Sequence, residues 1–303
     1  MYAFLKVLFF AMTMNKQAYH SSFGLVKTLS SRIAMMLLFV ASGAMAQPLS
    51  EAEQIKSFYV QYMEAIDKGR RERVDLLVDS ILTPEMRDKK GRLTAAMGAD
   101  PLLRAQDVSA FGMQSLECRH LEGGWYEVSY RWNQSDTASI HIPLMVRVDK
   151  KGRVKIAYVT PEWAGRGYGD YLFNIPKVKV QDKKDATTFV ESFFKAYTYR
   201  YVKMSPTLEE DLARLRTAYF TPAMQDKYSK VVHQYRDDYC YVDPAVGCED
   251  FDAFWYESIR VISSDFYHFT VCYGMPDNGY GGKVEFTLTR QKGRWRVSDM
   301  KTQ

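Results

Sequence analysis

Two aspartates recur where a pocket acid would sit. Asp107 and Asp250 each follow an Asp-Pro pair by seven residues, in Asp100–Asp107 (DPLLRAQD) and Asp243–Asp250 (DPAVGCED). A carboxylate beside a tyrosine at the mouth of an apolar pocket can serve as general base or as hydrogen-bond acceptor for a ligand, provided burial raises its pKa. Tyr59 or Tyr62 in the first half, and Phe194 or Tyr197 in the second, would supply the aromatic wall, while Trp255, in the aromatic run Phe251–Tyr256, is a candidate for a binding surface. The structural alternative is plainer. Asp100 and Asp243 would cap helices or turns, each worth about 1 kcal/mol. Asp107 and Asp250 would accept backbone N–H groups where helix passes into strand. Residue types alone leave both readings open.

Other chemistries find little support. His120, His141, His233 and His268 follow the leader, with no i,i+4 pair and no H-E-x-x-H, so no metal site is expected. There is no G-x-S-x-G elbow. Ser192-x-x-Lys195 and Ser298-x-x-Lys301 lack the companion motifs of the penicillin-recognising enzymes. Glu209-Glu210-Asp211 reads as an acidic helix start, and neither it nor Asp237-Asp238 has the spaced ligands and glycine of a calcium loop. No catalytic residue and no cofactor is assigned.

The elements that would position these residues come twice. Ile55–Tyr62 (IKSFYVQY) returns as Val190–Tyr197 (VESFFKAY), Leu82–Lys89 (LTPEMRDK) as Phe220–Lys227 (FTPAMQDK), and Asp100–Phe111 as Asp243–Phe254. The offsets are 135, 138 and 143 residues, the drift that loop insertions produce in a repeated domain. Each repeat opens on an amphipathic helix, with Ser50 and Glu53 as a capping box in the first. Thr83-Pro84 and Thr221-Pro222 read as N-cap followed by proline at the first helical position. The period then changes to two. Strands are expected at 125–132, 140–148 and 154–159, and again at 258–262, 266–273, 283–290 and 294–300. The expected fold is α+β: two tandem repeats, each with N-terminal helices packed on a curved antiparallel sheet.

The front of the chain reads as an address. Ile33–Ala41 is a short apolar run behind Lys27 and Arg32, and Ala44-Met45-Ala46 offers the small residues of a cleavage site before Gln47. The expected layout is a signal peptide over 1–46, a first repeat over 47–160, a flexible linker over 161–184 and a second repeat over 185–303. The leader holds four basic residues and no acid, so the mature chain has 37 basic against 36 acidic side chains, close to neutral. That argues against a nucleic-acid partner, and no stable transmembrane anchor is expected after processing. An exported chain meets an oxidising compartment. Cys240 and Cys248 flank a short turn and are the candidate disulfide pair, while Cys118 reads as a small buried apolar residue.

The opening aromatic helix, the Thr-Pro block and Asp100-Pro101-Leu102-Leu103-x-Ala105-Gln106-Asp107 resemble a bacterial envelope domain family of unknown function, within the broad cystatin-like and nuclear-transport-factor-like α+β group. The second copy departs from the pattern at Ala245, Cys248 and Glu249. The resemblance implies a fold and a periplasmic or secreted location. Three functions are compatible with it. The first is a non-catalytic module that binds a protein, peptide or glycan in the envelope. The second is a small-molecule pocket protein or an isomerase- or dehydratase-like enzyme using Asp107 or Asp250 with a tyrosine. The third is an inhibitor or immunity protein against a secreted toxin or hydrolase. The lack of catalytic constellations and the 14% aromatic content favour the first.

Overall fold

The computed structural model describes residues 49–161, 167–237, 242–275 and 280–302. The expected signal peptide lies outside them. Each half runs through four helices and then a four-stranded meander. In the first half these are α1 (Glu51–Asp67), α2 (Arg71–Ile81), α3 (Pro84–Met97), α4 (Ala110–Gln114), β1 (Glu117–His120), β2 (Trp125–Tyr130), β3 (Ile140–Val148) and β4 (Val154–Val159). In the second they are α5 (Ala186–Val202), α6 (Leu208–Tyr219), α7 (Pro222–Asp237), α8 (Ala253–Tyr256), β5 (Arg260–Ser263), β6 (His268–Met275), β7 (Tyr280–Gln291) and β8 (Arg294–Thr302). Both sheets are antiparallel in chain order, β1-β2-β3-β4 and β5-β6-β7-β8. The fold is α+β.

Local chemistry starts and stops the helices. Ser50 and Glu53 form the expected capping box on α1. Thr83 Oγ1 accepts the Met86 N–H and Thr221 Oγ1 the Met224 N–H, both at 3.2 Å, ahead of the prolines. The same threonines stitch helix to sheet. Thr83 N donates to the Ile156 carbonyl at 3.0 Å and Thr221 N to the Val297 carbonyl at 2.9 Å. α3 stops where Gly98 takes a left-handed φ of 63°. Each sheet has one irregularity at the matching place, Met145/Val146 and Thr287/Leu288, and such a bulge bends a strand and adds twist.

The stripe Ile55, Phe58, Tyr59, Tyr62 and Met63 is buried in the first half. Phe189, Phe193, Phe194 and Tyr197 are buried in the second, with Phe193 and Phe194 edge-on to Phe286 of β7. Aromatic side chains therefore occupy the space between helix and sheet.

The segment expected as a flexible linker is packed over its described part, 167–184. Leu172 and Val180 are buried. Trp125 Nε1 donates to Asp170 at 2.7 Å, and the Phe173 ring stacks on Trp125 and meets Tyr158 edge-on. Trp125 and Tyr158 belong to the first sheet yet sit in the second half's core. Ser50–Gln303 accordingly forms one compact unit.

Candidate functional site

Four different groups converge on the buried carboxylate of Asp243. This residue opens the turn after α7, and its main-chain carbonyl accepts the Val246 and Gly247 N–H groups at 3.0 and 2.7 Å. Its Oδ1 accepts the Ala245 N–H at 2.8 Å, an Asx turn that fixes the carboxylate. Three tyrosines then converge on it. Tyr197 and Tyr201, one helical turn apart on α5, donate to Oδ2 at 2.9 and 2.7 Å. Tyr228 of α7 donates to Oδ1 at 3.0 Å. Arg216 of α6 lies 4.4 Å from the centre of the Tyr228 ring and donates to the Tyr197 and Tyr228 hydroxyls at 2.6 and 3.1 Å.

Burial, reinforced by the Asp243 charge, holds the Tyr197, Tyr201 and Tyr228 hydroxyls well above the usual phenol range. They remain donors at any physiological pH. Four donors occupy the carboxylate, and the phenols are spent as donors to it. The chemistry left to this arrangement is shape and charge.

It forms the floor of a trough between the halves. A cavity of about 420 Å³ is bounded by α3 of the first half, through Asp88 and Arg92, and by Tyr201, Tyr228, Asp243 and Glu249 of the second. It shares Glu209, Tyr228 and Val232 with a second volume of about 400 Å³ between α6 and α7, where Arg216, Gln225 and Ser229 line the wall. Asp88 and Glu209 are exposed and Glu249 half-buried at the rim. Among the described residues, none of the three makes an ion pair.

Beside the trough the halves are locked by buried charge. Lys89 of α3 is 1% exposed, and its Nζ lies 2.6 Å from Asp250 Oδ2 and 3.5 Å from Asp252 Oδ2. Arg92 Nε reaches Asp250 Oδ1 at 3.2 Å. Tyr158 of β4 donates to both oxygens of Asp252, at 2.6 and 2.8 Å. Every cation and phenol in this cluster comes from the first half, and both carboxylates from the second.

The residues singled out by sequence therefore scatter. Asp250 is a structural ion rather than a pocket acid, with no exposed surface. Asp107 is exposed and accepts its neighbour's N–H, from Val108, at 2.8 Å. Neither acid stands beside a tyrosine in an apolar pocket. Tyr59 is buried, edge-on to Phe58. Tyr62 donates to Asp100 Oδ2 at 2.5 Å. Only Tyr197 belongs to the trough network. Trp255 is half-buried against Phe251 and Tyr273 and lines a small apolar gap with Leu93 and Met97. Cys240 lies outside the described residues. The expected pairing with Cys248 therefore lies outside them too; the Cys248 thiol donates to the Asp250 carbonyl at 2.6 Å, and burial pushes it up to about 12.

Tyr201, Arg216, Tyr228, Lys89 and the central role of Asp243 were missed by sequence reasoning. One signal pointed to them: Tyr62 and Tyr197 recur at the same offset as the opening helix, and each donates to the aspartate of its own Asp-Pro pair.

No protein-family model matches the chain, and no curated protein matches it. Similar solved structures include the following three. A protein of unknown function from Bacteroides thetaiotaomicron VPI-5482 is 29% identical, over 44% of this chain and 95% of that one, with a TM-score of 0.35. An "Ntf2 like protein involved in plasmid conjugation" is 11% identical, over 83% of this chain and 94% of that one, with a TM-score of 0.19. A cystatin-like protein from Ruminococcus gnavus ATCC 29149 is 13% identical, over 84% of this chain and 92% of that one, with a TM-score of 0.22.

Proposed function

We propose that this chain is an exported, non-catalytic binding module of the bacterial cell envelope, and that its ligand presents an ammonium or guanidinium group to the trough between the halves. The observation that carries this reading is the division of labour among the trough acids. The deep carboxylate, Asp243, is held by four donors. Among the described residues, the rim carboxylates Asp88, Glu209 and Glu249 make no ion pair, and Glu209 and Glu249 are the two farther from Arg87 in the chain. A floor whose carboxylate is already filled with hydrogen-bond donors, under a rim of carboxylates that make no ion pair among the described residues, suits recognition of a cation. The two joined volumes favour an extended ligand, a peptide segment with a lysine or arginine side chain. The export half of the reading rests on the leader: a basic flank, an apolar run and Ala44-Met45-Ala46.

The test is calorimetric titration with acetyl-trilysine amide, its fully acetylated counterpart, and a neutral chitin trisaccharide. The charged peptide binds and the other two do not. Glu209→Gln with Glu249→Gln weakens binding by about tenfold, because each partly exposed ion pair contributes up to about 1 kcal/mol. Equal binding of the acetylated peptide, or indifference to the double substitution, defeats the cationic reading. Tight binding of the trisaccharide would replace it with a glycan site. Protein sequencing of the exported form should begin at Gln47.

A further inference from the structure

Seven large apolar side chains are well exposed among the described residues, and three of them lie within six positions of one hairpin: Ile262, Phe266 and Tyr267, at 56, 64 and 46%. Single exposed apolar residues are ordinary, but a cluster of them is not. The turn that carries it is held by hydrogen bonds and ring contacts. Asp265 Oδ1 accepts the Tyr267 and His268 N–H groups at 2.7 and 2.9 Å, fixing the turn between β5 and β6. Phe266 meets Tyr267 edge-on at 5.0 Å, and both rings rest against the buried Trp295, at 5.6 and 6.3 Å.

The fold does not require those rings. In the first half the strand pair β1–β2 is joined by a turn of the same length, and Gly123-Gly124 stand where Phe266-Tyr267 stand, at the offset of 143 residues that relates β1 to β5. Val154 stands where Trp295 does, at the offset relating Ile156 to Val297. The same hairpin is thus built once with glycines and once with an aromatic tip.

Basic side chains surround the tip. The β7–β8 turn lies at the same end of the sheet, and left-handed φ values of 50° and 75° at Lys292 and Gly293 turn the chain there. The Arg290 guanidinium is 5.6 Å from the Trp295 ring, and the Trp295 indole N–H donates to the Lys184 carbonyl at 2.9 Å. Lys183, Lys184, Arg290, Lys292 and Arg294 are all exposed. The acids close by in the chain are engaged. Asp265 pairs with His268 at 2.8 Å, Asp182 with Arg294 and Arg296 at 3.5 Å, and Asp185 caps α5.

We infer that this end of the second half docks on an anionic lipid bilayer, with Phe266 and Tyr267 at headgroup depth and the surrounding lysines and arginines on lipid phosphates. Rings at the tip of a projecting turn suit a deformable headgroup layer, and a protein partner would need a recess to receive them. Aromatic rings with long basic side chains set around them are the composition of interfacial anchors, and basic groups are drawn to anionic lipid within a Debye length. No described helix is long and apolar enough to cross a membrane.

The experiment is co-sedimentation of the chain from Gln47 onward, whose residues from Ser50 form one compact unit holding both cores, with vesicles of phosphatidylcholine alone or mixed equally with phosphatidylglycerol. Binding to the anionic vesicles is expected to exceed binding to neutral ones by about tenfold and to fall several-fold between about 50 and 500 mM salt. Phe266→Gly with Tyr267→Gly, the first half's own turn, should lower it about tenfold. Arg290→Glu with Lys292→Glu should remove the preference for anionic lipid. Urea midpoints of both variants are read alongside, and Phe266→Ser replaces the glycine pair if that variant unfolds early. The inference is overturned if anionic and neutral vesicles bind alike. It is equally overturned if the charge reversals abolish binding while loss of the rings does not, which marks attraction to any polyanion.

Discussion

The two Asp-Pro turns start from the same residues and end in different chemistry. In the first half, Asp100 is held by the Tyr62 hydroxyl, the Leu102 N–H and the Lys90 ammonium at 3.0 Å. In the second, Asp243 keeps the equivalent tyrosine, Tyr197, and the equivalent amide, Ala245. At the offset of the Thr-Pro block, Tyr228 stands where Lys90 does and Arg216 where Val78 does. The cation that neutralised the first aspartate has moved out one shell, and phenols fill its place. One turn is an ion pair near solvent, with Asp100 and Lys90 at 18 and 16% exposure. The other is a buried network under a trough. The two halves share a scaffold while their polar partners differ, and the trough lies against the second half's version.

The same contrast holds for the lysines of the repeated Leu82–Lys89 block. Lys89 reaches across to Asp250, whereas Lys227 stays on its own half, paired with Asp299 at the surface. Removing one partner of a buried pair strands a charge and costs about 3–5 kcal/mol, while an exposed pair contributes at most about 1 kcal/mol. Lys89→Ala should therefore lower the unfolding free energy by about 4 kcal/mol in urea, and Lys227→Ala by under about 1 kcal/mol. Equal effects would show that Lys89 does not hold the halves together. A denaturation curve that splits into two steps for Lys89→Ala alone would sharpen the comparison.

What could be read from residues alone follows the same line. β3 and β4 alternate and are separated by Asp149–Gly152, so their limits were legible residue by residue. β1 was not: all but one of its side chains are exposed on an edge strand, and Glu-Cys-Arg-His shows no alternation. α4 and α8 are too short to display a helical period. Asp250 stood out because it repeats Asp107, yet repetition misled. The lysine that claims it lies 161 positions away in the other half, and the matching Asp107 has no such partner. A contact between repeats leaves no trace in the comparison of one repeat with the other. Tyr201, Tyr228 and Arg216 were missed for the converse reason, because each replaces a residue of the first half instead of repeating it.

A smaller effect separates the two aspartates themselves. Asp243→Ala leaves three phenols and an amide without their acceptor at a site where Asp243 is only 8% exposed. A buried donor left unsatisfied costs about 1–3 kcal/mol, and Arg216 can recapture part of the network, so a loss of about 3 kcal/mol is expected. Asp100→Ala, where water reaches the site and Lys90 can swing out, should cost about half as much. Measured thermal and urea midpoints decide this. If Asp100→Ala were the more damaging, the second network would be ornament on a turn that holds without it.

The smallest expected difference lies at the two opening helices. α1 is capped by a hydroxyl, Ser50, and α5 by a carboxylate, Asp185. The Thr188 hydroxyl at 2.6 Å, then the Thr188 N–H at 2.9 Å, hold the Asp185 carboxyl below its ordinary value. A group whose folded pKa is depressed stabilises above its unfolded pKa, near 3.9, and loses that contribution as pH falls through the folded value. Asp185→Ala should cost about 1 kcal/mol at neutral pH and progressively less in acid. Ser50→Ala removes a hydroxyl that accepts the Glu53 N–H and does not titrate, so part of its cost persists there. Urea midpoints of both variants at pH 7 and below pH 3 give the result. A pH-independent cost at Asp185 would mean that the cap works through the shape of the turn and not through its charge.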